Sequence, residues 1–139
     1  MIVLDTNVVS EWRDRKHSEL LLLWLDTLPA KTTFLTTVSI AEIQYGLHLL
    51  PESARKSQLV EMYSSVEEEF RGRILTFSLD AAHRYGVLNA KRRKAGRPME
   101  VKDAMIAAIC LSHGATLATR NVKDFEGLDL RLVNPFEGA

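Results

Sequence analysis

The chain has 139 residues, the size of one domain, and such a chain can bury about two-thirds of its unfolded surface around a single core. Hydrophobic residues at 46% and charged residues at 26% are ordinary for a globular fold, and no apolar run approaches the roughly 18 residues of a membrane-spanning helix. The 18 basic residues balance the 18 acidic ones, which leaves any attraction for nucleic acid to local patches rather than to net charge.

In chain order, Met1 runs straight into the apolar stretch 2–4, with no basic leader, apolar signal core or small-residue cleavage site. Export is not expected, and the cytoplasm is. Residues 2–4, 33–36, 73–76, 116–118 and 130–133 read as strands, while 38–50, 52–70, 79–95 and 101–113 have helical length and spacing. Residues 20–25 form only a short apolar run. Leu59, Met62, Val66 and Phe70 fall three and four apart and give the second helix an apolar stripe. Pro51 is placed at a helix start, Gly114 at a helix end, and Gly96-Arg97-Pro98 in a loop joining two helices. Cys110 lies within the apolar run 106–111 and reads as a small buried thiol. The alternation of strand and helix predicts one α/β domain over 1–139, a sandwich with a central, mainly parallel sheet flanked by helices.

Four polar clusters punctuate this pattern. Asp5-Thr6-Asn7 ends the first strand; Ser39-Ile-Ala-Glu42 opens the helix after the second; Asp103 lies in the first turn of helix 101–113; and Thr119-Arg-Asn-Val-Lys-Asp124 follows the fourth strand. Each has a plain structural reading. Asp5 is a natural helix N-cap, Ser39-x-x-Glu42 is the capping-box pattern, Asp103 suits a helix dipole, and Asn121 or Asp124 can tie a turn.

Parallel-sheet geometry offers a single reading for all four. Strand ends and the starts of the helices that follow them share one edge, where α/β proteins bind ligands. Two carboxylates about 4 Å apart repel by around 4 kcal/mol at an effective dielectric of 20, so Asp5, Glu42, Asp103 and the Asn121/Asp124 pair gathered together require a cation. No Lys or Arg is placed by the sequence to neutralise them all. Oxygen-only donors without a Cys/His set select Mg²⁺ or Mn²⁺, ions that serve phosphoryl chemistry.

These motifs resemble those of the PIN-domain ribonucleases, and among them the VapC toxins of the FitB-like type. The resemblance rests on Leu4-Asp5-Thr6-Asn7, Ser39-x-x-Glu42, Asp103-x-x-Ile106-Ala107-Ala108, Gly114-Ala-x-Leu117-Ala-Thr119-Arg120-Asn121-x-x-Asp124-Phe125 and Leu132-Val133-Asn134-Pro135. It covers nearly the whole chain, with residues 51–97 matching in helical character alone. It implies a PIN-like three-layer sandwich and a divalent-metal-dependent endoribonuclease that acts as the toxin of a type II toxin–antitoxin pair and inhibits translation and growth. It further implies an RNA substrate, a homodimer, and a VapB-like antitoxin whose C-terminal segment presents a basic side chain to the acids within a larger assembly.

Carried onto this chain, the resemblance makes Asp5, Glu42 and Asp103 the principal catalytic and metal-binding acids, with Thr6 and Ser39 as orienting hydroxyls. Many family members have an aspartate where this chain has Asn121, a weaker ligand. Asp124 therefore becomes the candidate for the missing charge, and one or two metals remain open. Arg120, inside the fourth motif, is the candidate phosphate contact. Lys91-Arg92-Arg93-Lys94 with Arg97 reads either as a path for an RNA backbone or as a solvated helix end. His83 and His113 have no catalytic partners in the sequence and read as surface or core-edge groups. Two other functions are weighed: a PIN-like module that binds RNA or protein without cutting, and a phosphotransferase with Asp5 as nucleophile. The latter's motif wants an aspartate where Asn7 stands.

Overall fold

A computed structural model of the protein describes residues 1–13 and 18–137. Among these residues five strands, β1 (Ile2–Leu4), β2 (Thr33–Thr36), β3 (Ile74–Leu75), β4 (Thr116–Ala118) and β5 (Leu132–Val133), form one sheet in the order β3-β2-β1-β4-β5. Every pairing is parallel, with Ile2 opposite both Thr33 and Thr116, Leu35 opposite Ile74, and Ala118 opposite Val133. The chain builds outward from β1 to β2 and β3, then returns to the other side of β1 for β4 and β5. That reversal puts a crevice outside the carboxyl ends of β1 and β4.

Among the described residues, six helices cover the sheet: α1 (Thr6–Arg13), α2 (Glu19–Asp26), α3 (Thr37–Leu49), α4 (Ala54–Glu69), α5 (Leu79–Lys94) and α6 (Val101–His113). Alternation along the strands divides the core in two. Val3 and Leu117 point to one face, where they pack with Ala81 and Leu88 of α5 and the buried run Ile106 to Cys110 of α6. Leu4, Leu35 and Ala118 point to the other, against Val8 and Val9 of α1, Leu21 of α2, Ile43 and Leu47 of α3, and Val66 and Phe70. This is the expected three-layer sandwich.

Helices α1 and α2 were not expected. The β-branched pair Val8-Val9 and the short run 20–25 carry too little three-to-four periodicity to announce a helix; they become helical because both bury apolar side chains against the sheet. Two boundaries also differ from expectation. Pro51 precedes α4 rather than opening it, since Ser53 is the N-cap and its hydroxyl accepts the Lys56 amide at 3.1 Å. The outer strands β3 and β5 have 2 residues each, shorter than the four-residue stretches 73–76 and 130–133. Gly114 does close α6, in the left-handed conformation at φ 63° that a side chain would strain. Cys110 is fully buried, and burial pushes its thiol up, which fits a packing role.

Candidate active site

Asp5 prolongs β1 by one residue: its amide donates to the Ala118 carbonyl at 2.9 Å, and its own carbonyl accepts the Val8 and Val9 amides that begin α1. The side chain is 5% exposed. Its Oδ1 accepts the Thr6 amide at 2.8 Å, whereas Oδ2 accepts the Thr119 hydroxyl at 2.8 Å and the Asn7 amide at 3.3 Å. An ordinary N-cap reaches the second or third helical amide, so Asp5 is held in place by the helix start and does not serve it as a usual cap. Burial raises the Asp5 carboxyl, opposed by the Thr119 and Thr6 hydrogen bonds and assisted by the charges of Glu42 and Asp124.

Glu42 comes from α3, and the capping-box expectation fails there. Thr36 is the N-cap, with its hydroxyl accepting the Ser39 amide at 3.1 Å. The helix therefore starts earlier than read from the sequence, and Glu42 lies in its second turn, beyond reach of the N-terminal amides. It faces the site instead. The Thr6 hydroxyl bridges the buried Ser39 Oγ at 2.8 Å and Glu42 Oε1 at 3.1 Å, while Lys102 Nζ stands 3.3 Å from Glu42 Oε2.

Asp103 sits in the first turn of α6, half-buried. Burial, followed by the charges of Asp5, Glu100, Asp124 and Glu42, pushes its carboxyl up to about 6. The fourth cluster divides. Asp124, in the 3-10 turn Val122–Phe125, is exposed, and its charge raises both the Asp5 and the Asp103 carboxyls. Asn121 is exposed and opens the turn: its amide donates to Thr119 Oγ1 at 3.1 Å, and its carbonyl accepts the Asp124 amide at 3.0 Å.

Arg120 does not point freely at the cluster. Its Nη2 lies 2.9 Å from Glu11 Oε1, its guanidinium stacks 3.9 Å from the Phe136 ring centre, and its amide donates to Asn7 Oδ1 at 3.2 Å. The basic segment of α5 is likewise not one uniform face. Lys91, Arg93, Lys94 and Arg97 are exposed, but Arg92 is 8% exposed and donates to three carbonyls, those of Arg97 (2.8 Å), Asp124 (3.2 Å) and Glu126 (3.0 Å). His83 and His113 lie on the surface.

Three contributors were invisible to spacing alone. Thr119 and Asn7 hold Asp5 because the Leu4–Ala118 register places the residues after β1 and β4 side by side. Lys102 precedes Asp103 in sequence, yet its partner is Glu42 on another helix.

The donor chemistry suits a hard cation: oxygen donors of like charge, whose charges help burial raise the Asp5 and Asp103 carboxyls, with no soft side chain among them. Among the described residues, no three such groups are already drawn together as a finished metal cage. Binding would therefore require the acids to close in. Asp5 Oδ1, with one donor, keeps a lone pair for an ion. From Thr6 and Glu42 a groove of about 640 Å³ runs between α1, α3 and α4, past Ser10, Arg55 and Gln58.

Fold and site together define a three-layer parallel α/β protein with a carboxylate cluster at its switch point. The PIN domain family model matches residues 2–129, and the chain belongs to that family. Among curated relatives it is 39% identical over 138 residues to the plasmid stability protein StbB of Pseudomonas syringae pv. tomato, covering 99% of both chains. It is 35% identical over 140 residues to the VapC ribonuclease Y4jK of Sinorhizobium fredii, covering 100% of both, and 34% identical over 137 residues to the toxin FitB of Neisseria gonorrhoeae, covering 98% of this chain and 99% of that one. A solved structure of FitAB bound to a DNA fragment superposes with a TM-score of 0.91 at 34% identity, covering 98% of this chain and 96% of that one.

Proposed function

We propose that the protein is the toxin of a toxin–antitoxin pair, an endoribonuclease that uses Mg²⁺ or Mn²⁺ and is restrained by a small VapB-like antitoxin. The observation that carries this reading is the convergence of Asp5, Glu42, Asp103 and Asp124 on one sheet edge, where the charges of Glu42 and Asp124 help burial raise the Asp5 carboxyl and those of Asp5, Asp124 and Glu42 help it raise Asp103. The names of the full-length relatives, a VapC ribonuclease and a toxin, support the choice of RNA and of toxicity. Structural likeness to FitAB bound to a DNA fragment supports a protein partner and a larger assembly, and our reading builds that assembly on a toxin homodimer and places it in the cytoplasm.

Asp5, Glu42, Asp103 and Asp124 would hold the ion. When bound, it polarises the phosphodiester and makes a water nucleophilic near neutral pH. The remaining work belongs to the chain. Thr119 and Asn7 fix the orientation of Asp5, Thr6 fixes that of Glu42, and the groove past Arg55 offers an RNA strand a path to the acids. Asp5 is ill-placed as a covalent nucleophile, because it is buried and both oxygens already accept hydrogen bonds.

The test is cleavage of labelled RNA with Mn²⁺, with chelator, and by Asp5→Asn. Cleavage that needs the ion and falls by orders of magnitude in the variant is expected. Undiminished cleavage by Asp5→Asn would overturn the assignment, and a well-folded wild type that binds RNA but never cuts it would make the protein a binding module.

A further inference from the structure

Lys102 occupies an unfavourable place for a cation. It is the second residue of α6, where the helix dipole is positive and no side chain caps the free amides. What holds it there is the surrounding negative charge. Its ammonium lies 3.3 Å from Glu42 Oε2, and the carboxylates of Glu100 and Asp103 on its own helix add to the attraction. Across from it, α3 contributes Glu42 to the same cavity of about 550 Å³, whose other walls, Val38, Tyr45, Phe77 and Met105, bring no charge that competes for the ammonium.

We propose that Lys102 is a built-in counter-ion of the acid cluster, which a divalent ion must displace from Glu42, so that this residue sets the metal concentration at which the site fills. The proposal rests on the metal-dependent reading above. Its physical basis is competition. An ammonium on a side chain 56% exposed forms a weak, solvent-screened pair, strong enough to quiet one carboxylate and weak enough to yield to a doubly charged ion. The freed ammonium has open solvent at the mouth of the cavity and need not disturb the core. The only salt bridge of Lys102 among the described residues is to Glu42, and the Asp5 and Asp103 carboxyls stay raised by burial and by neighbouring acids, which keeps the remainder of the cluster attractive to the metal.

Mn²⁺ titration calorimetry on the full chain, with melting curves at each metal concentration, tests this. Lys102→Gln and Lys102→Met should bind Mn²⁺ about three- to tenfold more tightly than wild type, as one partly screened charge would require, and should gain more in melting temperature when the ion is added. Lys102→Arg, which keeps the charge, should stay close to wild type. Raising the salt concentration should shrink the difference between Lys102→Gln and wild type. Equal or weaker Mn²⁺ binding by both neutral variants would overturn the proposal while leaving the metal reading intact. A wild type that binds no Mn²⁺ would overturn the metal reading itself, and the proposal with it.

Discussion

Asp103 carries the plainest electrostatic signature in the molecule, and its consequences run through both stability and metal binding. The native carboxyl holds its proton up to about pH 6, whereas the unfolded group loses it near the ordinary 3.8. Between those values the native state binds more protons than the unfolded one, so metal-free stability falls as pH rises through that window and levels off above it. Asp103→Asn removes the titration. Its melting temperature should match wild type near pH 4 and exceed it at pH 7, as thermal melts in chelator would measure. The same substitution should weaken Mn²⁺ binding, and wild-type affinity should climb from pH 5 to 7 as the proton is released. A further residue-level comparison concerns Asn121 and Asp124. Because the charge of Asp124 reaches Asp5 and Asp103, whereas Asn121 brings no charge and its backbone ties the turn, Asp124→Asn should raise the Mn²⁺ needed for half-maximal cleavage, while Asn121→Asp should leave it unchanged. Metal titrations of the cleavage rate distinguish them, and a response from Asn121→Asp alone would reverse the assignment.

Helix α3 separates capping from chemistry. Thr36 satisfies the orphan amide of Ser39, and Glu42, a turn further on, is left for the site. Thr36→Ala should therefore cost about 1 kcal/mol of stability by denaturant unfolding. Glu42→Gln should leave stability nearly untouched and abolish most cleavage. Had the capping box formed around Ser39, Glu42 would have been the structural residue, so the two variants test the helix start and the catalytic role together. The local pattern misled here because Thr36-Thr37 and Ser39 are all acceptable caps, and only the end of β2 decides which residue turns first into the helix.

Arg92 joins the molecule's layers. Rooted in α5, it reaches the chain before α6 through Arg97 and the turn after β4 through Asp124 and Glu126, so one buried guanidinium fastens the segments that carry two of the acids. Its removal takes the shared donor from three carbonyls. Arg92→Met, which keeps much of the apolar stem, should lower stability by about 2 kcal/mol, read from urea unfolding, and should also weaken Mn²⁺ binding as Asp124 loses its support. Arg93→Met, on the exposed side of the same turn of helix, should do neither. A loss confined to RNA binding in Arg92→Met would return this residue to the basic-path reading of residues 91–94.

The sheet and the identity of its acids were legible along the chain, since strand residues alternate or run apolar, α4, α5 and α6 repeat every three to four residues, and each acid follows a strand end or opens a helix. Fold class, the closing role of Gly114 and the burial of Cys110 follow from such local rules, because they depend on neighbours in sequence. The short helices α1 and α2 did not, because eight residues carry little periodicity and gain their stability from packing on Leu4, Leu35 and Ala118. The same holds for the partners of the acids. That Thr119 bonds to Asp5, that Lys102 meets Glu42, that the charge of Asp124 reaches Asp5 and Asp103, and that Arg92 is a buried clasp within a basic run all depend on strand order and helix docking. Those contacts join residues distant in sequence, and hydrogen bonds and charge pairs of a few ångströms are set by where the backbone arrives in space.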